Sequence, residues 1–159
     1  MEPLYVGQVP VGLGTPDYYC TIEREGEPYL LFYVYGGGGS DLADGKIWHG
    51  WAVLGFGVFV YFISLETQTQ IFLDLGYFYS LYPTEDYMLV TSAWSVFCYD
   101  KDAHQLWQTR SSDLAWLGIQ ITSVQDDRVL AIGEWPPFDE PAGQIPFTLS
   151  LPTGAVINE

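Results

Sequence analysis

Short apolar runs separated by turn residues recur from one end of the chain to the other, and no helix-length stretch free of Gly and Pro carries a convincing i, i+3, i+4, i+7 apolar period. The pattern predicts an all-β protein. Strands are expected over 17–24, 28–35, 46–54, 57–64, 69–75, 77–82, 86–91, 94–99, 105–109, 117–122, 128–133, 145–150 and 154–158. The N-terminal third is less regular: "EREGEP" (23–28) reads as a charged hairpin tip, and "YGGGGSDLADG" (35–45) as a glycine-rich loop with no intrinsic shape.

Three segments line up when written under one another: "FISLETQTQIF" (62–72), "FCYDKDAHQLW" (97–107) and "FTLSLPTGAVI" (147–157). Each is an apolar strand, a polar tip, and a strand that closes on two large apolar residues. The offsets are 35 and 50, and the excess is accommodated by the proline-rich "EWPPFDEPAGQIP" (134–146). Another apolar strand precedes each segment ("WAVLGFG", "YMLVTSA", "RVLAIGE"), so the unit is a three- to four-stranded meander of about 35 to 45 residues, the period of propeller blades.

These tips resemble the blades of quinoprotein-like β-propellers, in which a tryptophan at the end of the tip docks between blades. "YDKDAHQLW" supplies Asp100 and Trp107, and "LSLPTGAVI" supplies the Thr153-Gly154 turn. Phe72 and Ile157 stand in place of the tryptophan in the other two segments, and Thr69 and His104 in place of the turn glycine. The resemblance implies a fold and no quinone cofactor. The last third, with its Gly-Glu-Trp and proline-rich loop followed by Pro-Phe and a Leu-x-x-x-Gly ending, also looks like an uncharacterised bacterial family, which implies a small stand-alone protein and no activity.

Residues 47–65, "IWHGWAVLGFGVFVYFISL", carry no Asp, Glu, Lys or Arg and reach membrane-spanning length. Three glycines and the wealth of Val, Phe and Tyr point instead to a buried hairpin turning around Phe56, between Gly55 and Gly57.

Composition narrows the function. A chain of 159 residues forms one domain and buries about 70% of its unfolded surface. Twenty acidic against five basic residues give a net charge of −15, a field that repels nucleic-acid phosphates and anionic lipids and favours a basic protein partner. Cys20 and Cys98 are too far apart in sequence for a metal-type pair, and the start "MEPLYVGQVPVG" lacks a secretory leader pattern, so reduced thiols in a cytoplasmic protein are expected.

Candidate chemistry is sparse. Asp100, Asp102 and His104 have the residue types of a metal site, but an EF-type loop needs further oxygen donors and a distal Glu, and zinc needs more N or S ligands than His49 and Cys98 add. "SDLADG" (40–45) offers calcium two aspartates only. Two histidines and no Gly-x-Ser-x-Gly elbow leave no nucleophilic triad, and the four-glycine run lacks the lysine of a phosphate loop. Lys46 beside Trp48 and Arg110 beside Trp107 are candidate cation–π pairs. The best ligand-binding candidate is the proline-stiffened loop, where Glu134, Asp139 and Glu140 surround Trp135 and Phe138 as carboxylates surround an aromatic platform in sugar sites.

The expected protein is therefore a single all-β domain of antiparallel meander repeats, propeller-like with three or four blades or else a β-sandwich. An open array completed by a homodimer is one form of it. The expected role is non-enzymatic binding of a basic protein, as immunity or inhibitor proteins do, without cofactor, metal, nucleic acid or membrane. The alternative is a carbohydrate-binding or glycan-active domain built on Trp135.

Overall fold

The computed structural model describes residues 1–36, 43–109, 113–140 and 142–157. The fold is all-β, with four sheets that follow one another along the chain. The first holds β2 (Tyr18–Arg24), β3 (Glu27–Tyr35) and β1 (Leu4–Gly7), with β1 parallel to β3 at the edge. The second is the antiparallel meander β4 (Ala43–Trp48), β5 (Trp51–Phe56), β6 (Phe59–Ser64) and β7 (Gln70–Asp74). The third is β8 (Phe78–Pro83), β9 (Met88–Ser92), β10 (Val96–Tyr99) and β11 (Gln105–Gln108). The fourth is β12 (Gly118–Gln125), β13 (Arg128–Trp135) and β14 (Gly143–Ser150), extended by a bridge from Leu149 to Val156.

Apolar side chains on both faces of the inner sheets bind the four together. One core, with Val6, Phe32, Val34, Leu54 and Tyr61, lies between the first and second sheets. A second, with Trp48, Val60, Phe62, Phe78, Met88 and Phe97, joins the second and third. The third, with Leu89, Cys98, Trp107, Ile119, Val129 and Leu149, joins the third and fourth. Middle strands must therefore be apolar on both faces. This is why β9 reads as the unbroken buried run Met88–Ser92 rather than as an alternation.

The first strands of successive sheets adjoin: β2 meets β4, β4 meets β8, and β8 meets β12. Since each sheet then meanders away from that strand, the three segments aligned from the sequence occupy one place. They are the tips joining β6 to β7, β10 to β11, and β14 to the stretch around Val156.

Three indole N–H groups cross from one sheet to the next: Trp48 to the Thr84 carbonyl at 2.7 Å, Trp51 to Lys101 at 2.8 Å and Trp107 to Leu151 at 2.6 Å. Trp107 lies flat on the turn at Gly154, where a Cβ would stand 2.3 Å from the indole, and φ of +72° there also demands glycine. Trp107 thus links the third sheet to the fourth.

Several strand predictions are corrected. The stretch 46–54 is not one strand, because His49 (φ 47°) and Gly50 (φ 82°) make a tight two-residue turn that separates β4 from β5. The apolar run continues through that turn and hides it. Strand β1 was not expected, and 154–158 reduces to the Val156 bridge among the described residues. The hairpin at Glu25-Gly26 stands as read, whereas the buried hairpin turns at Gly57-Val58 and not around Phe56, since Gly55 and Phe56 belong to β5 and pair with Val60 and Phe59. No helix among the described residues is long and apolar enough to cross a membrane.

Candidate interaction surface

Among the described residues, the stretches just before β8 and β12 and the turns after β9 and β13 lie at one end of the array. The described stretches 74–77, 93–95, 113–117 and 134–140 meet there and include five carboxylates and no Lys or Arg, while Arg110 of the β11–β12 connection lies outside the described residues. Trp94, in the turn between β9 and β10, is 46% exposed and rests against Gly76. That glycine is held by its amide, which donates to the Asp74 carboxylate at 2.8 Å. The Ala93 amide donates to the Tyr77 carbonyl at 3.2 Å, fixing the Trp94 turn to the segment before β8.

From Tyr77 the surface passes to Tyr79, whose ring lies directly on Gly118 of the fourth sheet. Burial, then the charge and hydrogen bond of the Glu134 carboxylate, then Tyr77, push the Tyr79 hydroxyl above the ordinary tyrosine range. The Glu134 carbonyl in turn accepts from the amides of Trp116 (3.0 Å) and Leu117 (2.9 Å). These two side chains are 60% and 48% exposed.

The five residues singled out in the proline-rich loop have different situations. Glu134 reaches across to Tyr79, and Trp135 ends β13 half-buried, paired with Gly143. Phe138 is 84% exposed on a turn closed by the Asp139 amide on the Pro136 carbonyl at 3.1 Å. Asp139 encloses one carboxylate oxygen without a hydrogen-bond partner, while Glu140 is exposed. Reasoning from sequence passed over Trp94, Trp116 and Leu117, because an indole in a turn and an indole in a core look alike without the fold. The small polar residues around Trp94, in Ser92-Ala93-Trp94-Ser95, were the one usable signal.

The tip at Asp100 is explained by its turn. Its Oδ1 accepts the amides of Asp102 and His104, each at 2.9 Å, and its Oδ2 faces the His104 ring at 3.4 Å. Asp100, Asp102 and His104 do bring possible ligand atoms within 4.8 Å of one another, on an exposed tip whose central carboxylate the turn already uses. Partial desolvation pushes the Asp100 carboxyl up, but those two amides and the His104 ring outweigh it and hold the pKa below the ordinary range. A depressed carboxylate pKa stabilises the folded state above the unfolded-chain value and ceases to do so as pH falls through the folded value. Asp100→Ala should therefore cost about 1 kcal/mol at neutral pH. The difference in denaturant midpoint from wild type should vanish in acid below the aspartate range.

Other candidates resolve plainly. Of "SDLADG", Asp44 and Gly45 lie in β4, and Asp44 pairs with Lys46 at 3.5 Å, so Lys46 is committed to a carboxylate rather than to Trp48. Ser40, Asp41 and Arg110 lie outside the described residues. Both cysteines are free, and burial, aided by Asp100, pushes the Cys98 thiol up to about 12, which suits a core side chain and not a nucleophile. No protein family, curated protein or solved structure matches the chain.

Proposed function

We propose that the protein is a non-enzymatic binding module that engages a basic partner protein through the loop-end surface. The carrying observation is the set of exposed apolar anchors, Trp94, Trp116, Leu117 and Phe138, on a rigid sheet scaffold among Asp74, Glu134, Asp139 and Glu140. Large aromatic side chains contribute most of the energy of an interface, and a rim of one charge selects a partner of the other and speeds encounter. The strand arrangement is read as an open, propeller-like arc. Adjoining first strands, a core at each joint and Trp107 docked on the next sheet support that reading.

The test is affinity capture from source lysate at low and high salt, with wild type beside a Trp94→Ala/Trp116→Ala variant. A basic protein should be retained by wild type, released by salt, and bound about 30-fold more weakly by the variant. Both residues are exposed, so the variant should keep its fold. Identical retention by the two proteins would sink the proposal.

A further inference from the structure

The first sheet ends at β1, whereas the second sheet, packed against it, continues one strand further out to β7. Among the described residues no strand covers the outer part of the second sheet beyond β1. A cleft of about 230 Å³ results, floored by Phe59, Tyr61 and Phe72 and bounded by Gly7, Gln8 and Gln70. Phe72 is 64% exposed, although it is packed edge-on to Phe59 at 5.9 Å and so is held in place. In the second and third sheets the corresponding outer position is taken by β7 and β11, and in the fourth by the stretch bridged at Val156. The cleft thus lies where a fourth strand of the first sheet would run.

Its inner wall is a strand edge. In a parallel pair, alternate residues direct their backbone groups away from the partner, and the Tyr5 carbonyl does so, accepting from Gln70 Nε2 at 2.9 Å. Edge strands are ordinarily protected by charge, proline or a bulge. Leu4–Gly7, "LYVG", carries no charge, proline or bulge and pairs with β3 in unbroken register, but it is short, and its second outward carbonyl, of Gly7, accepts from the Val9 amide at 3.1 Å. On the inward side Leu4 and Val6 belong to the core, so a strand added beside β1 would place its own inward side chains over Phe59 and Phe72.

We propose that this cleft is a strand-acceptor site, which takes an extended segment of a partner protein along the outer edge of β1. Main-chain hydrogen bonds from the outward Tyr5 and Gly7 amides, and to their carbonyls in exchange for the Gln70 and Val9 donors, would give affinity, and alternate apolar side chains on the Phe72 floor would give selectivity. The residues between them face solvent in the field of a chain of net charge −15, so the segment alternates apolar with basic residues. A second copy of this chain is disfavoured at the same edge, since it would bring −15 against −15. The site is built from β1, β6 and β7 and uses none of Trp94, Trp116, Leu117 or Phe138, so it stands or falls without them.

The experiment is a titration of the isotopically labelled full chain, followed by amide chemical shifts, with an acetylated octapeptide alternating valine and lysine. Two comparison peptides replace the central valines by proline or the lysines by glutamate. Saturable shifts centred on Tyr5, Gly7, Gln70 and Phe72 are expected, with little response to either comparison peptide. In Phe72→Ser, whose spectrum reports its own folding, binding should be about tenfold weaker. No saturable shift at β1 with millimolar peptide would overturn the proposal. So would equal binding of the proline peptide, or undiminished affinity in Phe72→Ser.

Discussion

Replacing Trp107 by alanine is expected to destabilise the protein by about 3–5 kcal/mol and to lower Tm by about 10 °C. The indole is buried in the core between the third and fourth sheets, donates to the Leu151 carbonyl at 2.6 Å, and covers the turn at Gly154. Alanine would open a large cavity there and strip the Leu151 carbonyl of its donor. Trp107→Phe separates the two effects. It keeps most of the buried ring and loses only the hydrogen bond, so about 1–2 kcal/mol is expected. Calorimetry on wild type and both variants checks the order. Equal melting temperatures for Trp107→Ala and wild type would mean that the two sheets are held together elsewhere.

The second large effect belongs to the joint between the second and third sheets. Phe78 is fully buried and its ring lies on Gly55 of β5, where an added Cβ would come within 2.0 Å of the ring. Phe78→Ala should cost about 3–5 kcal/mol by leaving a cavity. Gly55→Ala should cost about 3 kcal/mol by overpacking, because both strands are fixed in their own sheets and cannot separate. The two changes oppose each other in volume. In a double-mutant cycle, Gly55→Ala combined with Phe78→Leu should be more stable than the sum of the single effects by about 2 kcal/mol, read from denaturant midpoints. Simple additivity would show that ring and glycine do not touch.

Most of the local architecture was legible because it rests on local chemistry. The hairpins around Gly57 and Glu25-Gly26 are written as turn residues between apolar runs, and the three aligned tips share their flanks because they share a place in the fold. Elements defined by distant partners were not legible. The four residues of β1 are too few to announce a strand, and they become one only by lying beside β3. The His49-Gly50 turn was hidden for the opposite reason, since "IWHGWAVLGF" stays apolar on both sides of it.

The candidate surfaces divide in the same way. Carboxylates and aromatics of the proline-rich loop are contiguous in sequence and could be named. Trp94 and Trp116 could not, because exposure is decided by the sheets around a turn and not by the turn. The rim cleft joins Tyr5 to Gln70 across 65 positions, and no window along the chain contains both.

The serial arrangement of the cores has a consequence for how the molecule comes apart. Among the described residues each core joins sheets that are neighbours in sequence, so stability is distributed as a chain of couplings and not around a common centre. The second and third sheets are clamped from both faces, and the first and fourth from one. Opening therefore starts at the first and fourth sheets and moves inward. The strand edge at β1 belongs to one of these two terminal sheets, and a segment bound there would act as a brace on it.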